Sequence, residues 1–415
     1  MRIAIIGSGI AGLTCAYLLS RKHEVTVFEA DEWIGGHTHT VDVNWRGERH
    51  AIDTGFIVFN DWTYPNFIRL LDQLKVASRP TEMSFSVHDP LTGLEYNGHD
   101  LNTLFAQRSN LVSPEFWGML RDILRFNRQS LADLDARRID ASTTLGSYLR
   151  AQGYGHRFIK HYIVPMGSAI WSMSPADMLD FPLQFFVRFC RNHGLLSVSQ
   201  RPQWRVIEGG SRSYVAPLCQ PFAERIRLNC KVRRVSRDEG GVTLITAAGP
   251  ERFDTVVFAC HSDQALKLLE TPSLQERAVL GAIHYAENDV VLHTDSRLLP
   301  RRRRAWASWN YRLGGSDQAP AAVTYNMNIL QGIQAAETFC VSLNQTALVD
   351  PAKIIARFQY AHPQYSLAAS AAQADQAQLQ GQQLTYYCGA YWGNGFHEDG
   401  VVSALKVAEH FGETL

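Results

Sequence analysis

The first residues constrain this chain more than any other stretch. Ile3-Ala-Ile-Ile6 is a short apolar run that breaks into Gly7-Ser-Gly9-Ile10-Ala11-Gly12, and helical character follows from Leu13 to about Ser20. A second apolar run, Glu24 to Phe28, ends on the acid Glu29. Strand, Gly-x-Gly-x-x-Gly turn, helix, strand and acid form a βαβ unit carrying a dinucleotide fingerprint in its full context. Gly7 permits the tight turn, Gly9 lets a pyrophosphate approach the backbone, and Gly12 lets helix and strand pack closely. The helix N-terminus then points its free N–H groups, those of Ile10 and Ala11 among them, at the phosphates. Glu29 stands where a carboxylate bonds both hydroxyls of an adenosine ribose. A 2′-phosphate would meet that charge, so NADP is disfavoured.

The continuation separates FAD from NAD. Glu29-Ala30 is followed by Gly35-Gly36-His37-Thr38, a loop almost without side chains that can pass under a pyrophosphate from its second side. This stretch resembles the flavoprotein superfamily of the flavin amine oxidases, protoporphyrinogen oxidase and the phytoene-type desaturases. There the pattern reads Glu-Ala, a few residues, Gly-Gly, usually Arg, then Thr; here His37 replaces the arginine and removes a fixed positive charge. Two distant segments match as well. Residues 228–235, around Val232, and 253–260, around Ala259, read as strand, hairpin region and buried parallel strand. The resemblance implies adenine binding by the backbone at Val232 and closure of that side at Ala259. Residues 384–405 read as a strand broken at Gly389, a turn through Asp399-Gly400, and a helix from Val401-Val402. The resemblance implies that this helix N-terminus faces the flavin's pyrimidine side, where its dipole favours the anionic reduced ring by about 0.3–1 kcal/mol. Thr54-Gly55-Phe56 resembles the segment that approaches the flavin's reactive edge. The cofactor expected is FAD.

At 415 residues the chain suits two domains rather than one core. The expected fold class is α/β: a Rossmann-type, glutathione-reductase-like FAD domain (1–79, 203–274 and 371–415) with an inserted mixed α+β substrate domain (80–202 and 275–370). Residues 116–134 repeat apolar positions at three- and four-residue steps, 289–293 and 321–325 are strand-like, and 368–383 is a helix or a surface connection. Forty Lys+Arg against forty Asp+Glu give no global pull towards nucleic acid. Arg301 to Arg304 is either solvated surface or a contact for an anionic head group at a membrane. Seven scattered cysteines without a Cys-x-x-Cys pair argue against a metal cluster and a disulfide framework, and fit a reducing compartment. The glycines at 7, 9 and 12 argue against a secretion signal, and no run suggests a transmembrane helix. The expected location is cytoplasmic, with peripheral contact at the inner membrane surface left open.

Finer motifs narrow the resemblance. Gly389-Ala-Tyr391-Trp392-Gly-Asn-Gly-Phe-His397-Glu-Asp399-Gly400, Leu292-His293-Thr-Asp295 and Ala305-Trp-Ala-Ser-Trp309-Asn310 are similar to bacterial NAD/FAD-binding proteins akin to the N-terminal oxidase-like half of plant cyclopropane fatty-acid synthases. The resemblance implies lipid-associated redox chemistry, and a lipid-modifying methyltransferase as partner. Many amine oxidases hold a water at flavin N5 with a lysine on a Lys-Val-x-Leu strand. The matching strand here, Glu287-Asn288-Asp289-Val290-Val291-Leu292, has acid or amide instead, so the lysine-dependent mechanism does not carry over. The expected reaction is oxidation or desaturation of an apolar, acyl-lipid-like molecule by hydride transfer to flavin N5, with dioxygen or a quinone as electron acceptor. A flavin amine oxidase, a redox-neutral isomerase and a non-catalytic FAD-binding partner are the alternatives. Tyr391 and Trp392 are candidate walls beside the ring. His397 is a candidate proton donor or acceptor, or a loop residue satisfying backbone groups. Trp171 either lines the substrate slot or packs in a core.

Overall fold

A computed structural model describes all 415 residues and shows an α/β fold built on two main sheets. The first is a five-stranded, wholly parallel sheet in the order Ile226–Arg227, Glu24–Phe28, Arg2–Ile6, Thr255–Phe258, Thr385–Tyr387. Ile3 to Ile6 and Val25 to Phe28 are buried, as strands covered on both faces require. One cover is the fingerprint helix Ile10–Leu19, buried on nearly every side because it is wedged between the C-terminal helix His397–Glu409 and the short helix Val215–Cys219. The other cover is a three-stranded antiparallel meander, Arg234–Asp238, Gly241–Thr246 and Gly249–Phe253, which packs Val235, Val242, Leu244 and Phe253 onto Phe28, Val256 and Phe258.

The strand expected over 228–235 is displaced. The chain runs Ile226–Arg227 as a short strand beside Glu24–Phe28, turns at Asn229 in the left-handed region (φ 51°), and resumes as a strand only at Arg234. The turn follows the tip of the neighbouring strand: Asn229 N donates to Asp31 O and Cys230 N to Glu29 O. Asparagine tolerates this conformation better than most residues, which is why an apolar alternation alone misplaced the element.

The second sheet has seven strands in the order Ile354–Gln364, His284–His293, Cys340–Leu343, Val323–Asn326, Trp309–Arg312, Phe85–Asp89, Leu94–Asn97. All pairings are antiparallel except that of Trp309–Arg312 with Phe85–Asp89. It joins residues 85–97 to strands drawn from 284–364, two regions far apart in sequence. Beside it lies a helical layer led by Pro114–Asp135, whose first turn is capped by the Ser113 hydroxyl accepting from Phe116 N. Phe116, Met119 and Phe126 of that helix face an aromatic core with Phe158, Trp171, Phe181 and Phe186, whereas Trp117 and Leu124 face solvent. Residues 367–374 and 376–379 are helical, as the reading of 368–383 allows. No helix is long and apolar enough to cross a membrane.

Candidate active site

The fingerprint turn is shaped by contacts that exclude side chains. A Cβ on Gly7 (φ 110°) would meet Ala259 O at 2.8 Å, and one on Gly12 would meet Gly7 O at 2.1 Å. Gly9 differs: its Cβ would have nothing within 4 Å. No side chain caps the first turn of the helix that Gly9 opens, so the N–H groups of Ile10, Ala11 and Gly12 remain available. Gly35 (φ 121°) bridges to Gly9, and a Cβ on Gly36 (φ 57°) would lie 3.2 Å from Gly9 Cα. The buried Glu29 carboxylate accepts from Ser8 N at 2.9 Å, Ser8 Oγ at 2.6 Å and Asp31 N at 3.0 Å, which fixes it at the strand tip beside exposed Ala30. Open space above Gly9, a helix N-terminus and a carboxylate at the strand end fit a dinucleotide's pyrophosphate and ribose. A second helix N-terminus converges on the first: a Cβ on Gly400 would meet Ile10 Cγ2 at 2.7 Å. Val401 is buried in the shared core, Val402 half-buried, and Ser403 Oγ accepts from Gly389 N. Val232 is buried under the meander, against the same sheet whose Ala259 abuts the fingerprint turn.

The two sheets meet at a cluster of uncharged polar groups. Thr38 Oγ1, Tyr214 Oη and His397 Nε2 form a buried triangle, with His397 Nε2 at 3.0 Å from Thr38 and 3.1 Å from Tyr214. Phe56 stacks on the His397 ring at 3.4 Å between centroids. Gly55 is obligatory here, because a Cβ would meet His37 O at 2.2 Å, and Phe56 N donates to that same carbonyl. Thr54 Oγ1 lies 2.9 Å from Tyr360 Oη and 3.1 Å from His39 Nδ1. The His37 ring sits 5.1 Å from Tyr360, 5.4 Å from His362 and 6.2 Å from His261. His362 Nδ1 lies 3.0 Å from the Ser172 hydroxyl and 3.3 Å from Asn288 Nδ2, while Asn288 Oδ1 accepts from Asn344 Nδ2. Burial pushes His397 down to about 3 and His362 to about 4; burial and the neighbouring imidazoles drive His37 well below its ordinary value. The cluster is neutral at neutral pH, and the buried His37 Nε2 has no protein partner.

These positions bear on the expectations for four residues. The ordinary pKa that recommended His397 for proton transfer is abolished by burial, and its ring is locked between Phe56 and the Thr38–Tyr214 pair. Tyr391 and Trp392 are buried with Phe258, Tyr387 and Ala369 in the core beneath the meander, their Oη and Nε1 atoms lacking protein partners. Trp171 packs between Phe181 and Phe189, with centroids 4.5 and 4.8 Å away, and donates from Nε1 to Asn394 O; it belongs to the aromatic core. Asp399 accepts from Phe396 N and Asn394 Nδ2, and burial raises it to about 6. Asp53 is likewise raised to about 6 by burial, although Thr40, Ser211 and Gln331 all donate to it. Sequence reasoning missed Tyr360, His362, His261 and Ser172. Tyr360 and His362, two apart on one strand, share a face, and that period was the available signal.

Residues 10–319 match the family model described as flavin containing amine oxidoreductase. AofH of Mycobacterium tuberculosis, named as a flavin-containing monoamine oxidase, is 24% identical over 351 residues, covering 79% of this chain and 70% of that protein. Among solved structures, cyclohexylamine oxidase from Brevibacterium oxydans IH-35A superposes with TM-score 0.67 at 17% identity, over 99% of both chains. A fatty acid isomerase from P. acnes, titled as producing CLA, superposes with TM-score 0.70 at 15% identity, over 99% of this chain and 98% of that one. Identities this low show a shared fold.

Proposed function

Because the chain belongs to the flavin containing amine oxidoreductase family, binds FAD and is an oxidoreductase, we propose that it oxidises or desaturates an apolar, acyl-lipid-like substrate. The observation that carries this reading is the neutrality of the cluster where the sheets meet. The strand His284–His293 offers buried Asn288 in place of a lysine, and the four imidazoles of His37, His261, His362 and His397 are all held uncharged by burial. Such a surface desolvates a hydrocarbon cheaply and gives an ammonium group no carboxylate to pair with.

FAD, when bound, supplies acceptance of a hydride from a substrate C–H bond. In this proposal the chain's own residues hold and orient. The fingerprint turn, Glu29 and the Gly35-Gly36 loop hold the dinucleotide, and Thr54, Gly55 and Phe56 shape its reactive edge. His397 positions Thr38 and Tyr214 rather than exchanging protons, and His37 Nε2 is the atom free to hold a proton against a ligand. Dioxygen or a quinone is the proposed terminal acceptor. We assign the chain further to the group similar to the N-terminal half of plant cyclopropane fatty-acid synthases, working in the cytoplasm beside a lipid-modifying methyltransferase. Its support is the shared motifs at 292–295, 305–310 and 389–400.

Anaerobic titration tests the substrate class: a monoenoic acyl lipid should bleach the yellow holoprotein, and a panel of primary amines should not. Bleaching by amines alone overturns the reading. The fold shared with a fatty acid isomerase favours one second reading, redox-neutral isomerisation, recognised by product formation only after prereduction and without net oxidation.

A further inference from the structure

The helical layer carries an exposed apolar face that no part of this chain covers. Leu101 is 75% exposed, Val112 84%, Leu111 47% and Trp117 50%. These residues form one surface. The Trp117 indole donates to Leu111 O at 2.9 Å and its ring lies 5.5 Å from Phe105, four residues beyond Leu101. Arg108 bonds the carbonyls of Asn102 and Phe105, tying the turn at 108–112 to the helix Leu101–Leu104. That helix packs directly against the turn Arg303–Ala305, which brings the arginine run to the border of the apolar face.

Three of the four arginines are not spent on internal pairing. Glu95 is buried, takes Arg301 N and Arg302 N, and pairs with the Arg302 side chain at 3.0 Å, anchoring the run by its first half. Arg301, Arg303 and Arg304 are exposed and form no ion pair. Of the acids nearby, Asp100 caps its own helix through Thr103 N, and Glu115 is paired with Arg157 at 2.7 Å. An exposed leucine, valine and tryptophan group bordered by unpaired arginines has the composition of an interfacial anchor. Apolar side chains enter the acyl boundary, indole sits at head-group level, and guanidinium groups meet lipid phosphate.

We propose that this face docks the protein on an anionic lipid bilayer. Complementary charge selects that occupant over a second copy of the chain, whose matching face would set the arginines against one another. The proposal holds whatever the substrate is. If the acyl-lipid reading is also right, docking brings the protein to its substrate.

The test is co-sedimentation of the FAD-loaded protein with phosphatidylcholine vesicles, with and without phosphatidylglycerol, at low and high salt. The wild type should pellet with the anionic vesicles and be released by salt. The triple variant Arg301→Ser, Arg303→Ser, Arg304→Ser should partition on the order of a hundredfold more weakly, about fivefold for each arginine. Leu111→Ser with Val112→Ser should cost about tenfold even at low salt. Unchanged flavin absorbance and melting temperature certify that these surface variants are folded. Equal pelleting with neutral and anionic vesicles, a triple variant that binds like the wild type, or no binding to either vesicle would overturn the proposal. So would a dimer in sedimentation velocity that dissolves on the Leu111→Ser, Val112→Ser change, which would give the face to a second copy. None of these readouts depends on turnover, so they fail or succeed apart from the assigned reaction.

Discussion

On the parallel sheet the site is made of backbone. Gly7 and Gly12, the Gly35-Gly36 loop and Gly400 bring chain segments within a Cβ's width of one another, and the groups presented there are N–H donors. On the antiparallel sheet the site is made of side chains: Asn288, Tyr360 and His362 look towards His37, His261 and Ser172 from five separate elements or loops. The first half is rigid by exclusion and, Gly9 apart, tolerates almost no substitution at these glycines. The second is held by hydrogen bonds between neutral partners, and its chemistry can change without changing the fold. The contrast shows how a fold can keep a cofactor cradle while the chemistry above it changes.

The sharpest way to break the contrast is Gly12→Val. Its Cβ would collide with Gly7 O, so stability should fall by more than about 4 kcal/mol and no yellow protein should be recovered; a soluble, flavin-loaded variant would show that the cradle is not sterically fixed. Next in size is Arg237→Met. Arg237 and Glu276 are a buried pair under the meander, joined at 3.0 Å and shared with Tyr387. Removing one partner strands a buried carboxylate and should cost about 3–5 kcal/mol in urea unfolding.

Acid sensitivity tests the other half. His397, His362, His193 and His293 are held neutral, at about 3, 4, 4 and 4. Below their unfolded value of 6.5 the denatured chain binds protons that the native chain refuses, so stability is lost as pH falls. Asp53 and Asp399, raised from 3.8 to about 6, act in the opposite sense: the native state keeps protons there that the unfolded state has released, and this contribution is lost as pH rises through 6. Four imidazoles against two carboxyls leave a net fall of about 3 kcal/mol per pH unit between pH 6 and 5. A flat urea midpoint across that range would show that these four imidazoles are not held neutral. Asn288→Leu should cost about 1–3 kcal/mol, since Asn344 and His362 lose a partner, and should lower turnover more than FAD affinity. Equal loss of both would make Asn288 a scaffold residue only.

The smallest effect sharpens the comparison most. Gly9→Ala should change stability by within about 0.5 kcal/mol, because φ is ordinary there (−68°) and the Cβ points into open space. The same change should weaken FAD binding about tenfold or more by standing where the pyrophosphate lies. Isothermal titration of the apoprotein separates the two effects.

The cradle was readable in the sequence because each of its constraints acts within a few residues: a glycine spacing, a strand's apolar run, an acid at a strand tip. The neutral cluster was not. His37 was noticed only as a missing arginine and Asn288 only as a missing lysine, and their actual partners, Tyr360, His362, His261 and Ser172, come together only through sheet register and a left-handed helix end at Ser172 (φ 55°). His397 shows the same limit from the other side. Its place in a loop-to-helix motif was visible, but not the stacking of Phe56 or the Tyr214 hydroxyl that bury it. Nor did helical periodicity separate Trp117, which faces solvent, from its buried neighbour Phe116.

The parallel sheet is completed last. Val256–Phe258 pairs on one side with the first strand of the chain but receives its other neighbour only from Tyr386 and the residues around it. During synthesis more than a hundred residues must emerge while that strand lies with an open edge of unpaired backbone N–H and C=O groups, the kind that recruits foreign strands into aggregates. A holding chaperone should therefore raise the soluble yield of this protein more than extra cofactor in the medium.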